Sequence, residues 1–214
     1  MSQKSYKNAK IAVDAVILTI HDNALKVFLH TREKKPFKGK KELPGGLLKG
    51  DETAKETLQR KLNELIGRKD IFFQQFFTFT DPSRDPRERT ISIGFIALVN
   101  AKHIGQSEDW YNCNELSELA FDHNKIISDA IKYLKDNVTS LIVKQFMPDK
   151  FPLNNLQEVY EIIEGKKYDY RNFRKKMINS SIVQETNEVE KDVSHRPAKL
   201  FKFNWIFFLL LLAI

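Results

Sequence analysis

Between Gly46 and Gly67 the chain reads GLLKGDETAKETLQRKLNELIG, and this stretch predicts a helix with a defined start and end. Asp51 is a suitable N-cap residue, and an acidic residue such as Glu52 is stabilised in the first turn of a helix. Gly67 follows the last residue of the apolar pattern, as glycine often does at the C-terminal end of a helix. The sequence therefore predicts a capped helix over residues 52–66.

The same stretch resembles the Nudix box, the signature helix of the Nudix fold. The pattern of the box is Gly, five residues, Glu, seven residues, and then Arg-Glu-apolar-any-Glu-Glu-any-Gly. The positions that match this pattern in register are Gly46, Glu52, Arg60, Leu62, Glu64 and Gly67. By this resemblance, the first part of the chain is expected to form an α/β fold, the Nudix-like α/β/α sandwich with a mixed sheet.

Two of the three helix carboxylates of the pattern are absent, because Lys61 and Leu65 stand in their places. At about 100° per residue, acids at positions 61, 64 and 65 would share one side and could bind Mg²⁺ through oxygen ligands. Glu64 alone beside the cationic Lys61 is a poor site, and without the metal both the Lewis acid and the activated water are lost. We therefore expect a structural helix without a metal cofactor, in which Leu65 extends the apolar stripe into the core.

The composition limits the class of protein. The 214 residues are 42% hydrophobic and 29% charged, as in globular chains with one sizeable core or two modest ones. The net charge of +7 and the pI near 9.3 favour an anionic partner such as nucleic acid. A single cysteine, Cys113, excludes an internal disulfide, and the first ten residues lack the apolar core of a signal peptide. These features predict a cytoplasmic protein.

The chain ends in the apolar run NWIFFLLLLAI, which is shorter than the roughly 20 residues needed to span a bilayer. No membrane association is therefore expected. Residues 205–214 are a strand or helix packed on the body, a hydrophobic dimer contact, or the product of a sequencing or reading-frame error. The abrupt change of composition favours the last of these interpretations.

Strand patterns surround the predicted helix. Two runs rich in β-branched residues, IAVDAVILTI and ALKVFLHTR, flank His21-Asp22-Asn23 and predict a β-hairpin over residues 11–32. After the helix, FFQQFFTFT and ISIGFIALVN indicate two more strands, and a helix with an inner apolar stripe follows around residues 124–135. Together these elements predict a mixed α/β domain over residues 9–136.

Short helical patterns replace strands over residues 137–204. Asn154 is the expected N-cap of a first helix that ends at Gly165, and Asp169 is expected to cap a second helix. In the second helix, Tyr170 is expected on the inner side with Phe173 and Met177, while basic residues face outward. The segment HRPAKLFKF then suits a β-hairpin wing. This order of elements predicts a winged helix-turn-helix. The outward-facing basic residues alone are equally well explained as a solvated surface.

A second resemblance covers most of the chain. The segments LAFDH, LQEVYEIIEGKKYDYRNFRKK and HRPAKLFKF, together with the altered box, resemble the Nudix-related transcriptional regulators. The resemblance implies a homodimer that binds operator DNA through the C-terminal winged helix-turn-helix and senses a small molecule in the Nudix-like domain. Some members of that family respond to ADP-ribose and control NAD metabolism, and a related branch responds to the sugar L-arabinose.

The same resemblance assigns candidate DNA contacts. They are Arg171, Asn172, Arg174, Lys175 and Lys176 on the second helix, with Arg196 in the wing. Arginine can bind guanine and asparagine can bind adenine, while lysines neutralise phosphates and make the affinity depend on salt. Arg174 lies nearer the apolar stripe, where pairing with an acid inside the domain is the alternative role.

The effector is expected in the former substrate cleft, between the box helix and the loops at residues 42–46 and 81–89. The candidate effector contacts are Glu42, Arg60, Glu64, Arg84, Asp85 and Arg87. The arginines of the second loop could bind phosphate or sugar hydroxyls through forked hydrogen bonds. Alternatively, Arg84, Asp85, Arg87 and Glu88 pair with one another at a turn or a dimer contact.

The main alternative function is a Nudix hydrolase that cleaves a nucleoside diphosphate linkage with Mg²⁺. In that case Glu52, Glu56 or Glu64, with an acid from elsewhere, would replace the missing ligands, and Glu64 is the residual candidate for the metal. Lys61 and Leu65 argue against this alternative. The sequence therefore predicts a ligand-responsive DNA-binding regulator in preference to an enzyme.

Overall fold

A computed structural model of the protein describes residues 8–67, 71–104, 109–138, 140–191, 194 and 196–204. The apolar tail at residues 205–214 lies outside these ranges, so the three interpretations of it stay open. Within the described residues, no helix is both long enough and apolar enough to cross a membrane.

The N-terminal part of the chain is built on a six-stranded sheet. Its strands and helices are β1 (Lys10–His21), β2 (Ala24–Phe28), β3 (His30–Thr31), β4 (Lys41–Glu42), β5 (Gly45–Leu47), α1 (Ala54–Ile66), β6 (Phe72–Phe79), β7 (Thr90–Leu98), a 3-10 helix (Ala101–His103), β8 (Trp110–Asn112) and α2 (His123–Asp136). The strand order is β6-β7-β1-β2-β8, with β5 also paired to β1, while β3 and β4 pair separately. β1 and β7 run parallel and the other pairs in the large sheet run antiparallel, so the sheet is mixed as predicted.

A helix covers each face of this sheet. Successive side chains of a strand point to opposite faces, and β1 follows this rule. Val13 and Ile17 belong to the apolar cluster that contains Leu58 of α1. Val16 belongs to the cluster on the other face, with Ile126 of α2. The two helices therefore enclose the sheet and confirm the predicted α/β/α sandwich.

The hairpin between β1 and β2 turns where the sequence predicted. Asp22 and Asn23 both have positive φ, at 51° and 55°, as the favoured two-residue hairpin turns require. The strands then pair in register from His21 opposite Ala24 to Leu18 opposite Val27. Asparagine and aspartate tolerate this left-handed backbone better than most residues, which explains the position of the turn.

The box helix begins later than predicted, and its N-cap is Thr53 instead of Asp51. The Thr53 hydroxyl accepts a hydrogen bond from the Glu56 backbone N–H, and the Glu56 carboxylate accepts one from the Thr53 N–H at 2.8 Å. This reciprocal capping box satisfies two backbone donors at once, which Asp51 cannot do from its position. The helix ends as predicted at Gly67, where φ is 72°.

The prediction that Leu65 joins the core is wrong. Its side chain is 37% exposed, whereas Leu58 and Leu62 are 0% and 2% exposed. Leu65 lies in the last turn of α1, next to the final helical residue. The sheet therefore covers the middle of the helix, and Leu65 lies beyond the covered part.

The C-terminal part has the predicted winged helix-turn-helix architecture. Its elements are α3 (Ser140–Lys144), β9 (Phe151–Pro152), α4 (Leu153–Glu164), α5 (Tyr170–Asn179), β10 (Val183–Val189) and β11 (Lys199–Phe203). α4 and α5 are the two helices of the motif, and β10 and β11 form the wing hairpin. β9 adds to β11, so the wing is anchored on the strand that leads directly into α4.

Two local predictions in this part are wrong. Asn154 does not cap α4, because Phe151 and Pro152 are held as a strand and the helix starts directly at Leu153. Tyr170 is 46% exposed and does not join the inner side of α5. Tyr168, in the preceding turn, packs its ring on Phe173 at 5.6 Å and covers the inner side in its place. The predicted cap at Asp169 is confirmed by a 2.9 Å hydrogen bond from the Asn172 N–H.

One apolar core runs through both parts of the chain without a break. It contains side chains from the large sheet, from α2, from both helices of the helix-turn-helix and from the wing. Representative members are Leu18 of β1, Leu134 of α2, Leu156 of α4, Phe173 of α5 and Phe201 of β11. α2 also lies against α4, so the sheet and the helix-turn-helix meet across this helix.

A buried carboxylate holds the turn between α4 and α5. Glu161 accepts hydrogen bonds from Lys167 Nζ at 2.6 Å, from the Tyr168 N–H at 2.9 Å and from Gln157 Nε2 at 2.9 Å. These donors favour the ionised form and lower the pKa of Glu161 to about 2. The turn therefore depends on a charged Glu161.

We expect Glu161→Gln to lower the melting temperature at pH 7. This difference from the wild type should become smaller as the pH falls. Because the pKa of Glu161 is depressed in the folded protein, its stabilising effect is complete above the ordinary value of 4.5 and is lost as the pH falls towards about 2. Thermal unfolding of both proteins between pH 7 and pH 3 measures this difference, with Glu158→Gln on the exposed side of α4 as control. A difference that stays constant over this range would contradict the role of Glu161.

Candidate functional site

A polar cleft opens beside β1, between the segment from β3 to β5 and the loop that precedes β7. It encloses about 560 Å³, including space that is open to solvent. The charged and aromatic residues that line it are Asp14, His30, Arg32, Glu42, Arg84, Asp85, Arg87, Phe121 and His123. Four of the six predicted effector residues are among them, namely Glu42, Arg84, Asp85 and Arg87.

Arg84 forms the buried floor of this cleft. Its side chain is 5% exposed and donates to Asp14 at 3.0 Å and, through two nitrogens, to Asp122 at 2.8 Å and 3.0 Å. Ser92 donates a further hydrogen bond to Asp14 at 2.6 Å. Burial by itself lowers the pKa of Arg84, but the charges of Asp14 and Asp122 outweigh it and raise the pKa above its usual range. Arg84 is therefore a permanent cation held between two carboxylates.

His123 fixes the chain segment opposite Arg84. Its Nδ1 accepts a hydrogen bond from the Leu43 N–H at 2.9 Å, and its Nε2 lies 3.6 Å from Asp14. Burial lowers the pKa of His123, which keeps the imidazole neutral near pH 7. Because Nδ1 is the acceptor, the proton of the neutral ring is on Nε2 and faces Asp14. The segment before β5 is thereby tied to the start of α2.

Two further arginines lie over one aromatic ring at the cleft. The guanidinium carbons of Arg32 and Arg87 are 4.7 Å and 5.3 Å from the centroid of the Phe121 ring, within the range of cation–π contacts. Arg32 also donates to Glu42 at 2.8 Å, and Arg87 makes a forked pair with Asp85 at 2.7 Å and 2.9 Å. Each guanidinium is thus oriented by a carboxylate and an aromatic face.

The lining offers both kinds of hydrogen-bonding group to a ligand. The guanidiniums supply donors in a fixed fork that suits phosphate and carboxylate groups. The carboxylates beside them supply acceptors for hydroxyl groups. Burial alone would raise the pKa of Glu42, but hydrogen bonds from His30 and Arg32 lower it, so this acceptor stays ionised. The cleft therefore suits a ligand that carries hydroxyl and phosphate groups together.

Arg60 and Glu64, the other two predicted effector residues, are not among the residues that line this cleft. Arg60 makes a forked pair with Glu52, with both distances at 2.7 Å. Glu64 accepts from Lys61 at 2.8 Å and from Arg60 at 3.4 Å. In the structure both side chains pair with neighbouring residues of the box, and neither lines the cleft.

The residues of the box do not fit Mg²⁺, the metal that the Nudix pattern implies. Both oxygens of Glu64 and both oxygens of Glu52 face cationic side chains, and Glu56 serves the capping box with Thr53. An ammonium at position 61 repels a divalent cation. In the described part of the chain, no group of three or more His, Cys, Asp or Glu side chains could hold a metal ion.

The outer side of α5 presents the predicted DNA contacts. Arg171, Asn172, Lys175 and Lys176 are all exposed there, and Arg196 is exposed in the segment that leads into β11. These side chains form the basic face, a name that we keep for them below.

Arg174 is placed differently from its neighbours on α5. Its guanidinium lies 3.6 Å from Glu185 of the wing and 5.4 Å from the Phe201 ring centroid. Arg174 therefore joins α5 to the wing. This is the alternative role given in the sequence analysis, pairing with an acid inside the domain.

Several residues of the site were not found from the sequence. Asp14, Arg32 and Phe121 lie in the cleft but were not predicted as ligand contacts. Asp14 had a detectable signal, because an acid inside an apolar strand needs a buried partner. Asp122 and His123 belong to the segment LAFDH, whose resemblance to a family gave no chemical role.

Two family models match this chain. The family model for the NUDIX domain matches residues 10–133, and the model for the NrtR DNA-binding winged helix domain matches residues 143–203. The ADPR responsive transcriptional repressor NtrR of Acinetobacter baylyi is 33% identical, over 94% of this chain and 85% of that protein.

Two crystal structures of the Shewanella oneidensis protein NrtR are also similar. One, solved in complex with a 27mer DNA, superposes with a TM-score of 0.80 at 29% identity, covering 92% of this chain and 94% of that chain. The other is its NUDIX domain in complex with ADP ribose, with a TM-score of 0.54 at 33% identity, covering 63% of this chain and 94% of that chain. The chain therefore belongs to the Nudix-related transcriptional regulators, in which a NUDIX domain is joined to an NrtR-type winged helix domain.

Proposed function

We propose that this chain is a transcriptional regulator that binds operator DNA through its winged helix domain and responds to an ADP-ribose-like effector in the polar cleft. The observation that carries the proposal is the similarity over 92% of the chain to a protein solved on DNA. We further propose that the chain acts as a homodimer in the cytoplasm, so that two winged helix domains bind two half-sites.

The basic face supports the DNA-binding part of the proposal. Recognition helices of this motif enter the major groove, where their N-terminal residues contact base edges. Arg171 and Asn172 are in the first turn of α5 and carry the donors that suit guanine and adenine. Lys175 and Lys176 follow on the exposed side and suit phosphates.

The chemistry of the cleft supports the effector part. The relative from Acinetobacter baylyi is described as responsive to ADPR, and the NUDIX domain from Shewanella oneidensis was solved with ADP ribose. ADP-ribose carries a diphosphate and ribose hydroxyls, which match the paired guanidiniums and carboxylates of Arg32 with Glu42 and Arg87 with Asp85. A neutral sugar such as L-arabinose would use the carboxylates but offers no anionic group to the guanidinium donors.

The test is the binding of the full chain to its own promoter region and to a shuffled sequence, across a salt series, with and without ADP-ribose or L-arabinose. We expect specific binding that ADP-ribose changes and that L-arabinose leaves unchanged. Calorimetry of ADP-ribose binding with and without DNA must then give the same coupling factor, since coupling between two sites is reciprocal. Equal affinity for the two DNA sequences under all these conditions would refute the proposal.

The hydrolase alternative predicts a different result with the same ligand. Because the box residues do not fit Mg²⁺, we expect no hydrolysis of ADP-ribose above background in the presence of Mg²⁺. Chromatography of the nucleotide after prolonged incubation measures this directly. Turnover that disappears in Glu64→Gln would show that the chain is an enzyme.

A further inference from the structure

We propose that Lys61 supplies the positive charge at the diphosphate of the effector that a divalent metal supplies in Nudix hydrolases, so that effector binding needs no metal. This inference rests on the proposed function, because it requires an effector that carries a diphosphate. It goes further by assigning a binding role to a residue that lies outside the predicted set.

The position of Lys61 supports this role. Its side chain lies across Gly46, so closely that a Cβ atom at Gly46 would be 3.0 Å from Lys61 Cε. Gly46 is itself part of the wall of the polar cleft. A side chain at position 46 would push Lys61 away, and the glycine therefore allows the lysine to pack against the edge of the cleft. The terminal ammonium is one bond beyond the atom that makes this contact.

The charge of the box changes in the same direction. At positions 52, 60, 61, 64 and 65, the Nudix pattern has four acids and one arginine, which need metal ions before a diphosphate can bind. This chain has two acids, two basic residues and Leu65 at those positions, so the charges cancel. Exchanging a glutamate for a lysine changes the charge by two units, which equals the charge of one Mg²⁺ ion. Because Lys61 supplies a positive charge, the box carries no net negative charge that would repel an anionic ligand.

Lys61 can turn to a ligand at little cost. It pairs with Glu64 at 2.8 Å, but the Glu64 side chain is 46% exposed and also accepts from Arg60. Exposed ion pairs of this kind are weak, so Lys61 can leave Glu64, pair with a diphosphate and return to Glu64. Glu64 keeps Arg60 as a partner when Lys61 moves. The pair with Glu64 therefore holds Lys61 in place without blocking it.

The experiment is calorimetric titration of the full chain with ADP-ribose, once with Mg²⁺ and once with EDTA. We expect the wild-type dissociation constant to agree within about twofold between the two buffers. Lys61→Met should weaken binding about tenfold or more in both, as expected for loss of one charge-assisted hydrogen bond, and Lys61→Arg should largely restore it. Lys61→Glu should weaken ADP-ribose binding most in EDTA. Part of the lost affinity should return when Mg²⁺ is present.

Lys55 provides the matched control, because it is exposed on the same helix and bears the same charge. Lys55→Met and Lys55→Glu should bind ADP-ribose like the wild type in both buffers. Wild-type binding that EDTA abolishes, or binding that Lys61→Met leaves unchanged, would overturn the role of Lys61 and leave the regulator intact. Failure of the wild type to bind ADP-ribose in either buffer would refute the proposed effector and this inference together.

Discussion

Replacing Arg84 with methionine is expected to lower the free energy of unfolding by about 3–5 kcal/mol, the usual cost of removing one partner from a buried ion pair. Methionine fills a similar volume but leaves Asp14 and Asp122 without their cation, and their side chains are only 10% and 18% exposed. Denaturant unfolding at pH 7, monitored by circular dichroism, measures the change.

Arg89→Met is the control, because Arg89 donates to the Thr80 carbonyl at an exposed position, and it should change stability by less than about 0.5 kcal/mol. A loss for Arg84→Met below about 1 kcal/mol would contradict the ion-pair explanation.

Replacing Arg171 with alanine is expected to reduce specific DNA binding by roughly 1–3 kcal/mol and to relax the sequence preference at one base pair. Arg171 is exposed in the first turn of α5, where recognition helices contact base edges. Lys175→Gln should instead weaken binding to all sequences and reduce the slope of affinity against salt by about one unit, since it removes a phosphate contact. Fluorescence anisotropy with the promoter and with single-base variants, over a salt series, distinguishes the two effects.

The control for the basic face is Lys135→Gln, which removes a charge from an exposed position on α2. It changes the net charge as much as Lys175→Gln does, but it lies on α2, outside the winged helix domain. DNA affinity and salt dependence should therefore stay close to those of the wild type. If Arg171→Ala binds the promoter as well as the wild type, the outer side of α5 is only a solvated surface.

The features of the fold that depend on neighbouring residues were predictable from the sequence. The hairpin turn at residues 22–23, the end of the box helix at Gly67 and the cap at Asp169 all lie where predicted. Each depends on a backbone conformation that one or two residues strongly favour. The choice of Asp51 as N-cap was wrong although the sequence contains the better signal, the pairing of Thr53 with a glutamate three residues later.

The floor of the cleft was beyond prediction from local patterns. Asp14 and Arg84 are 70 positions apart and meet because β7 runs parallel to β1, which brings the loop before β7 to the strand that carries Asp14. The acid in an apolar strand indicated a buried partner but could not identify it. Arg60 was expected at the effector because the box helix was expected to line the cleft. In the structure, Arg60 pairs with Glu52 instead.

The unbroken apolar core gives the two domains a common folding equilibrium. Leu134 of α2, Leu156 of α4 and Phe201 of the wing are members of the same cluster, so neither domain can open its side of that cluster without exposing the other. A ligand that binds only the native cleft stabilises the whole cooperative unit, the recognition helix included. Conversely, a substitution that loosens the wing lowers the free energy of unfolding of the unit that also carries the cleft. Destabilising substitutions beneath either surface therefore reduce the folding stability that both surfaces share.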